Sequence, residues 1–421
     1  MKNKKLLSKL IIIFFCLSSA LCPALPEVKK INRQIHSSLI SRTEKSPLVS
    51  IIIPAFNHFD YTYNCLKAIS ASSGSTPYEV IIVDDFSSDK TWEKLSTISN
   101  IRTFRNIKNL GFIKSCNRGA QEARGNFLIF LNNDTEPQKG WVEAMISVFD
   151  NYVDTGLVGA KLLYPDGKLQ EAGSILYFDG SGYRYGWMQN SNDPRFNFVR
   201  EVDYCSGAAI MIKAELFRKL KGFDTYFAPA YYEDTDLAQK VRQEGLRVIY
   251  QPKAEVIHYE SITCSEKKLH YMIENHKKFF SRWKSFLINN PTHEMPIELS
   301  SEHRCFKRIL VIDSENNHSI LASLIKLVNN NNKIYYFPFG HLFDNEYVEQ
   351  CQRLGIEIIN NYFDEIALQW LSTYGKFLNF IMVPDKEKNS SIIPMIKYAT
   401  KNASLIYYTI KDDLTELLKG K

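Results

Sequence analysis

Apolar runs and amphipathic stretches alternate along the chain from about residue 49. Each run is four or five residues long, as expected of a strand buried in a sheet, and is followed by a helical pattern. This alternation predicts a parallel sheet covered by helices, and therefore an α/β fold. The runs lie at 49–53, 80–83, 101–104 and 127–131, and the helical stretches lie at 61–70, 89–99 and 112–123.

The pattern changes after about residue 156, where short strands and loops rich in Gly and Tyr replace the alternation. An apolar run at 208–212 and an acidic-headed helix at 234–244 are its clearest elements. We expect this part to form a second subdomain on the same sheet. The stretch 266–302 is helical and linker-like in pattern, and we expect it to pack back as a brace. It carries the ring residues His270, His276, Phe279, Phe280 and Trp283.

A second series of strands and helices begins at Arg308. Its order is that of half a Rossmann-like unit. The predicted strands are 309–312, 333–337, 356–359, 380–383 and 404–408, and the predicted helices are 320–328, 344–354, 365–374 and 393–401.

The N-terminus has the features of a secretory signal. Four lysines among the first nine residues precede an apolar stretch at 10–21, and Ser18 and Ala20 supply a small-x-small cleavage pattern. This stretch is shorter than the roughly 20 residues that span a bilayer, which favours a cleaved signal over a short anchor. A retained N-terminus would place the protein at the cytoplasmic face of a membrane, and cleavage would make it a secreted protein.

These patterns divide the chain into five segments. We predict a signal peptide or short anchor at 1–24, a linker at 25–46, an α/β domain at 47–265, a helical linker at 266–305 and a partial Rossmann-like domain at 306–421.

Charge and cysteine content exclude several classes of protein. The formal net charge of +6 over 421 residues is spread out, so we expect no nucleic-acid partner. The eight cysteines form no C-x-x-C pair, which argues against a zinc site or a disulfide framework, although Cys205 could pair with Cys264. Cysteines of this kind favour a reducing compartment, in conflict with the secretory N-terminus.

Polar residues follow two of the apolar runs. Asp84 and Asp85 close the run at 80–83, and Asn132, Asn133 and Asp134 follow the run at 127–131. Ligands of open α/β sheets lie beyond the carboxyl ends of strands, so these side chains are placed for binding. Oxygen ligands such as these suit Mg²⁺ or Mn²⁺ beside a diphosphate. Helix capping and turn formation are the competing explanations.

A third acidic group begins the helix predicted at 234–244. Glu233 and Asp234 follow Tyr231 and Tyr232, and these partly apolar surroundings can raise the proton affinity of a carboxylate to that of a general base. Favourable interaction with the helix dipole is the alternative. His258 follows a predicted strand at 255–257, and a lone histidine is more often structural.

Together these residues resemble the family 2 glycosyltransferases, which have the GT-A nucleotide-diphospho-sugar transferase fold. Order and spacing agree over about 215 residues. The matching segments are VSIIIPAFN at 49–57, VDDFSSD at 83–89, NLGF at 109–112, NRGA at 117–120, FLNND at 130–134, SGA at 206–208, GFD at 222–224 and EDTDL at 233–237.

The resemblance implies a nucleotide pocket at the strand ends. Asp85 would hold the uracil or thymine base of a UDP- or dTDP-sugar, and the other nucleotide-binding residues would be Pro54, Asn57, Asp84 and Asn133.

The resemblance also implies the catalytic and metal-binding residues. Asp134 would bind Mn²⁺ or Mg²⁺ on the diphosphate, with His258 near the metal. Asp234, supported by Glu233, would take the proton of an acceptor hydroxyl in a direct displacement that inverts the anomeric carbon. Asn132 stands where the family often has aspartate, so we expect a lower metal affinity.

Two further segments resemble subgroups of these enzymes. The Pro-Asp-Gly turn containing Asp166 is similar to that of rhamnosyltransferases of surface polysaccharide, and we assign Asp166 and Gly207 to the acceptor or donor pocket. A type I turn explains the Asp166 segment equally well.

The C-terminal region resembles the first half of a two-domain glycosyltransferase, but 314–317 (SENN) replaces the expected Gly-containing loop. We therefore expect it to be non-catalytic and to serve acceptor binding or association.

The sequence therefore predicts an inverting, metal-dependent glycosyltransferase that acts on a glycan or lipid-linked acceptor in surface polysaccharide synthesis, with possible membrane association. Two alternatives stay open: a non-catalytic nucleotide-sugar-binding protein and a secreted glycosyltransferase that modifies protein.

Overall fold

A computed structural model describes residues 46–418 except 73, 261–267, 306, 314–319, 330–331, 339–344, 360–370, 372–374, 376–377, 385–391, 401–402, 409–413 and 415. The predicted signal peptide, nearly all of the linker, the 314–317 loop and most of the helix predicted at 365–374 lie outside these residues. Cys264 also lies outside them.

The strands, in chain order, are β1 Val49–Ala55, β2 Tyr78–Asp84, β3 Arg102–Arg105, β4 Phe127–Leu131, β5 Thr135–Pro137, β6 Thr155–Leu163, β7 Leu169–Glu171, β8 Ser174–Leu176, β9 Gly182–Arg184, β10 Arg200–Glu201, β11 Ala209–Lys213, β12 Arg247–His258, β13 Arg308–Asp313, β14 Lys333–Pro338, β15 Ile356–Ile358, β16 Phe380–Pro384 and β17 Ser404–Tyr408.

The helices are α1 Phe59–Ser72, α2 Thr91–Leu95, α3 Phe112–Glu122, α4 Trp141–Asn151, α5 Ala214–Lys219, α6 Glu233–Gln243, α7 Lys268–Trp283, α8 Ile297–Ser301, α9 Leu321–Asn329, α10 Asn345–Arg353 and α11 Ile392–Ala399.

The chain divides into two compact units, and the first comprises residues up to Ser191 together with Val202–His303. Its main sheet runs in the order β12-β6-β11-β4-β1-β2-β3. β1, β2, β3 and β4 are parallel, and β11 is antiparallel to both of its neighbours, β4 and β6. β12 pairs in parallel with β6, so it points in the same direction as β4. The predicted α/β fold is confirmed.

The direction of the strands determines which residues meet at one edge of the sheet. The carboxyl ends of β1, β2, β4 and β12 lie at that edge. Because β11 runs the other way, its beginning lies there as well, and this brings the preceding residues Ser206 and Gly207 to the same edge.

Close packing of α3 against β1 explains part of the NRGA segment. β1 and β2 are buried along their whole length, as expected of central strands of a parallel sheet covered on both faces. A Cβ atom at Gly119 would lie 2.4 Å from Cγ2 of Ile52 on β1. A glycine at this position therefore lets the helix approach the sheet.

We expect Gly119→Ala to lower the free energy of unfolding by about 1–3 kcal/mol, because the added methyl group must displace Ile52 in a closely packed core. The gain in helix propensity, roughly 1 kcal/mol, offsets only part of this loss. Urea denaturation would measure the change. Gln121→Ala, at an exposed position of the same helix, is the control and should be near neutral. A Gly119→Ala protein as stable as the control would contradict this packing argument.

The second unit comprises Asn192–Glu201 and Arg304–Lys421. Its sheet has the order β15-β14-β13-β16-β17, and all of its neighbouring strands are parallel. Numbered within the unit, this is the 3-2-1-4-5 order of a doubly wound sheet. Apolar residues of the strands and of α9 form a buried core on one face of the sheet, which includes Val311, Leu324 and Tyr336.

Three predicted elements differ from the structure. The helix predicted at 89–99 is limited to α2, and the hydroxyls of Ser96 and Thr97 bond to the carbonyl oxygens of Glu93 and Lys94 in the turn where it ends. Such side-chain bonds compete with continuation of a helix. The strand predicted at 255–257 is the end of the longer β12, and a nine-residue strand, β6, occupies the region after 155.

Among the described cysteines, Cys65, Cys116 and Cys351 are free thiols. Within the described part of the chain, every helix is too short or too polar to cross a membrane.

Candidate active site

A cavity of about 780 Å³ lies at the carboxyl edge of the first unit's sheet. Its wall is formed by strand ends and by the loops that follow them. The predicted site residues in this wall are Pro54, Asp85, Asn133, Asp134, Gly207, Glu233, Asp234 and His258.

Asp85 is held firmly in the wall of this cavity. One of its carboxylate oxygens accepts hydrogen bonds from Nδ2 of Asn106 (2.7 Å) and the backbone N–H of Leu110 (2.8 Å). The other oxygen accepts the N–H of Gly111 at 2.8 Å. A carboxylate has about four acceptor positions, so Asp85 can accept a further bond from a ligand.

Asn57 and Asp84 lie behind the cavity rather than in its wall. The side-chain oxygen of Asn57 accepts the backbone N–H groups of Ser88 (2.8 Å) and Asp89 (3.3 Å), and so shapes the loop after Asp85. Asp84 is fully buried, accepts the N–H of Ser87 and pairs with Nε of Arg105 at 3.2 Å. Burial raises its pKa, although the bonds from Ser87 and the charge of Arg105 oppose this. Both side chains therefore support the loop.

Asp134 and His258 form a candidate metal site. Oδ1 of Asp134 lies 3.3 Å from Nε2 of His258. Nδ1 of His258 lies 2.7 Å from Oε1 of Gln170, an acceptor, so Nδ1 carries a proton and Nε2 faces Asp134. Fixing one ring nitrogen in this way is typical of metal-binding histidines. The described residues contain no group of three or more acidic, His or Cys side chains that could hold a metal.

Two protein ligands fit Mn²⁺ or Mg²⁺ better than zinc, because such ions keep waters and bind substrate phosphates. Burial alone would lower the pKa of His258, but the charge and hydrogen bond of Asp134 outweigh burial, and the pKa is raised. Nδ2 of Asn132 lies 3.2 Å from Nε2 of His258. Nδ2 of Asn133 donates to the hydroxyl of Thr62 at 3.0 Å, which fixes Asn133 in the cavity wall.

Asp234 lies at the start of α6 with its carboxylate held on both oxygens. Oδ2 accepts the backbone N–H of Gly207 at 2.9 Å, and Oδ1 accepts the N–H (2.6 Å) and hydroxyl (3.1 Å) of Thr235. Burial raises its pKa above the ordinary value for aspartate, although these hydrogen bonds oppose the effect. A carboxylate in this state is suited to accepting a proton near neutral pH.

Glu233 is buried beside Asp234, and its Oε2 has no hydrogen-bond partner among the described residues. Burial and the charge of Asp234 raise the pKa of Glu233 well above its ordinary range. Two neighbouring carboxyl groups are not ionised together readily, and the rise in the pKa of Glu233 favours its neutral form beside a charged Asp234.

The fold and this edge of the sheet correspond to a known family. The model of glycosyl transferase family 2 matches residues 50–221, a range that contains Pro54, Asp85, Asp134 and Gly207. The chain carries a family 2 glycosyltransferase domain. The resemblance inferred from the sequence motifs is thereby confirmed for this domain.

Other proteins are similar to this chain over parts of its length. An uncharacterized protein, y4gI of Sinorhizobium fredii, is 27% identical over 273 residues, which are 61% of this chain and 30% of that protein. The O-antigen biosynthesis protein RfbC of Myxococcus xanthus is 28% identical over 227 residues, 51% of this chain and 18% of that protein. The chain therefore spans less than a third of the length of either relative.

A solved structure of GalNAc-T7 with UDP, GalNAc and Mn²⁺ aligns at 17% identity with a TM-score of 0.46. The alignment covers 62% of this chain and 55% of that one.

The first unit also uses residues that the motifs did not single out. Nδ2 of Asn275, on α7, donates to the carbonyl oxygens of Phe227 (2.6 Å), Ala230 (2.9 Å) and Tyr231 (3.0 Å). The loop that it holds ends in Tyr231 and Tyr232, which have φ values of 76° and 72°. Non-glycine residues in this region are strained and often occur at functional sites. A lone Asn in a helical stretch carries no sequence signal of this role.

The brace predicted for the 266–302 stretch is confirmed. Nε1 of Trp283 and Nη1 of Arg282, both from α7, donate to Oδ1 of Asp236, each at 2.9 Å. Asp236 is fully buried one turn after the start of α6, and Phe279 is also fully buried. α7 therefore fixes α6, the helix that carries Asp234.

Asp166 lies away from the cavity. It is exposed in a turn, where its Oδ1 accepts the backbone N–H of Lys168 at 3.0 Å. These contacts agree with the second explanation of the Pro-Asp-Gly segment, in which Asp166 forms a turn. In its vicinity, Gln170 is the residue that contacts the site, through His258.

Glu171 is a buried carboxyl group that follows Gln170. Its Oε1 accepts the backbone N–H of Ser206 at 2.9 Å. Burial raises the pKa of Glu171 to about 7, and the negative charge of Asp234 also raises it, against the opposing effects of Ser206 and Arg184. The consecutive N–H groups of Ser206 and Gly207 thus each donate to a carboxyl group, that of Glu171 and that of Asp234 respectively.

We expect Glu171→Gln to stabilise the protein relative to the wild type as pH rises. A carboxyl group whose pKa is raised from 4.5 to about 7 binds a proton more tightly in the folded state than in the unfolded state. Its contribution to stability is therefore lost between these pH values, by at most about 3 kcal/mol. The amide oxygen of Gln can still accept the N–H of Ser206.

Urea denaturation at several pH values between 4 and 9 would measure this change. The stability difference between Glu171→Gln and wild type should grow in favour of the variant from about pH 4.5 to about pH 7 and then stay constant. Glu215→Gln, at an exposed position, is the control and should show a flat difference. A flat difference for Glu171→Gln would show that the pKa of Glu171 is close to its ordinary value.

Proposed function

We propose that this protein transfers a sugar from a UDP- or dTDP-linked donor to a hydroxyl group of a glycan or lipid-linked acceptor, with inversion at the anomeric carbon. The observation that carries this proposal is the position of Asp234. Its carboxylate lies in a wall that two cavities share. One is the larger cavity, which Asp85 and Asp134 also line, and the other is a second, smaller cavity.

The nucleotide occupies the part of the larger cavity beside Asp85. An imide N–H of uracil or thymine is a donor, and Asp85 keeps one acceptor position beyond its three protein donors. Pro54 and Asn133 line the same cavity. Asn57 and Asp84 act indirectly, because they hold the loop that follows Asp85.

The diphosphate lies toward Asp134 and His258. A divalent cation bound there neutralises the negative charge that develops on the departing diphosphate. Oδ1 of Asp134 and Nε2 of His258 would hold this cation, and Gln170 orients the imidazole ring.

Asp234 is the base in this reaction. It accepts the proton of the acceptor hydroxyl as the acceptor oxygen attacks the anomeric carbon and the bond to the diphosphate oxygen breaks. The N–H of Gly207 and the N–H and hydroxyl of Thr235 fix the carboxylate, so little reorganisation is needed during the reaction.

A non-catalytic nucleotide-sugar-binding protein is the second candidate. Asn132, in place of an acidic residue, favours it, because the metal site then has only Asp134 and His258 as ionisable ligands. A role in surface polysaccharide synthesis, attachment to a membrane, and the alternative of a secreted glycosyltransferase that modifies protein stay predictions from the sequence.

The first test compares full-length wild type with Asp234→Asn on a panel of UDP-, dTDP- and GDP-sugars with Mn²⁺ or Mg²⁺. We expect kcat to fall roughly 10²–10⁴-fold in the variant, the typical contribution of a general base. Nucleotide affinity, measured by calorimetry, should be unchanged.

Asp150→Asn, an exposed position on α4, is the matched control and should keep full activity. If wild type binds nucleotide but turns over no donor with any acceptor, the binding-protein alternative is correct.

A second test separates the roles of the two acidic residues. Because burial and the charge of Asp234 raise the pKa of Glu233 and so favour its neutral form, Glu233→Gln should retain at least about a tenth of wild-type kcat/KM. In both proteins kcat/KM should fall as pH drops through the raised pKa of Asp234. pH–rate profiles of the two proteins measure this. A loss in Glu233→Gln as large as in Asp234→Asn would assign the base to Glu233 instead.

A further inference from the structure

A second cavity of about 270 Å³ adjoins the proposed donor cavity. The residues that line both cavities are Ser206, Tyr231, Glu233, Asp234, Glu260 and Lys268. The smaller cavity therefore opens onto the base from a side that the nucleotide does not occupy. Its volume is near the lower end of the range of small-molecule pockets, roughly 300–1,000 Å³, which suits a single ring rather than a chain.

The wall of the smaller cavity is rich in aromatic rings. Such rings supply flat apolar faces on which the C–H face of a sugar ring can pack, while their polar atoms remain able to form hydrogen bonds. The aromatic residues in the wall are Tyr183, Trp187, Tyr204, Tyr231 and Tyr232.

The position of Trp187 is fixed by a chain of hydrogen bonds. Nε1 of Trp187 donates to the hydroxyl of Tyr164 at 3.1 Å, and that hydroxyl donates to Oε2 of Glu260 at 2.9 Å. The guanidinium of Arg184 lies 5.7 Å from the centre of the Trp187 ring and 3.1 Å from both carboxylate oxygens of Glu260. The aromatic wall is thus in place before any ligand binds.

Carboxyl groups outnumber cations in the wall of the smaller cavity. Four carboxyl groups line it, those of Glu171, Glu233, Asp234 and Glu260, against the cations Arg184 and Lys268. The charge of Arg184 is already matched by Glu260, and the pKa of Arg184 is raised accordingly, despite its burial. The raised pKa values of Glu171 and Glu233 show that this region already disfavours negative charge. A phosphate or carboxylate would meet the same penalty here.

Building on the proposed function, we propose that the smaller cavity binds the acceptor as a neutral, terminal sugar ring, and that it excludes acceptors whose reacting group is a phosphate or an acidic sugar. The sugar ring packs on Trp187 with one hydroxyl directed at Asp234. In the transfer, this hydroxyl gives its proton to Asp234, its oxygen bonds to the anomeric carbon, and the diphosphate leaves with the electron pair of the broken bond. A lipid-linked acceptor fits only if its diphosphate stays outside this cavity.

The test uses the full-length protein with the donor that it accepts and a panel of 4-nitrophenyl glycosides. Neutral glucosides and galactosides are compared with the corresponding glucuronides and galacturonides, with undecaprenyl phosphate in vesicles and with a threonine-containing peptide. We expect transfer to at least one neutral glycoside, and kcat/KM at least tenfold lower for its acidic counterpart. Glu171→Gln should lower the ratio of kcat/KM for the neutral glycoside to kcat/KM for its acidic counterpart several-fold, because it removes one acidic group from the cavity.

The role of Trp187 has its own readout. Trp187→Ala should raise KM for the neutral acceptor at least tenfold while KM for the donor and nucleotide release without acceptor stay unchanged. Trp187→Phe should recover most of the acceptor affinity, and Met188→Ala, at the exposed neighbouring position, is the control.

Three results would overturn this inference: transfer to undecaprenyl phosphate or the peptide but to no neutral glycoside, equal use of acidic and neutral glycosides, or a Trp187→Ala effect on the donor alone. Donor hydrolysis without transfer to any neutral glycoside would also overturn it, although the proposed donor site would stand. Failure of the proposed function itself is distinct, because then no donor is hydrolysed or transferred at all.

Discussion

Two adjacent backbone N–H groups, those of Ser206 and Gly207, each donate to a carboxyl group, that of Glu171 and that of Asp234 respectively. This arrangement links three separate parts of the first unit: the end of β7, the loop before β11 and the start of α6. It also brings two acidic groups close enough for the charge of Asp234 to raise the pKa of Glu171. The proposed base and the acidity of the second cavity therefore have one common structural origin.

The helix that carries the base is itself positioned from outside the sheet. α7 binds Asp236 through Trp283 and Arg282, and it holds the strained loop before α6 through Asn275. Buried hydrogen bonds to a charged group contribute more than ordinary ones, roughly 1.5–3 kcal/mol each. The strain of Tyr231 and Tyr232 can persist because the surrounding contacts determine the position of the loop.

The two cavities divide the proposed reaction by charge. The donor side offers Asp134 and His258, a pair suited to a cation that offsets the charge of a diphosphate. The other side has aromatic rings and an excess of carboxyl groups, and it suits a neutral ring. Asp234 lies where the two meet, which is the position that a direct displacement requires of its base.

The sequence by itself determined the α/β class, the main strands and the residues at strand ends, because apolar runs and the polar residues after them are local features. Asp85 and Asp134 were predicted in this way and Asp234 from the acidic start of a predicted helix, and all three lie in one cavity wall. The local sequence pattern could not distinguish residues in the cavity wall from residues that support the wall. Asn57 and Asp84 were therefore predicted to bind nucleotide, although in the structure they hold the loop after Asp85. Nor could it exclude Asp166, which forms a turn.

Only the tertiary structure decided the contacts made by residues far apart in the chain. Glu171 reaches Ser206 because β11 runs antiparallel to its neighbours, and Asn275 reaches the loop before Asp234 because α7 packs back on α6. Strand direction and helix packing depend on long-range pairing and on burial of whole faces, which no short segment encodes. The acidic, aromatic second cavity follows from these contacts, and for that reason it has no counterpart in the sequence motifs.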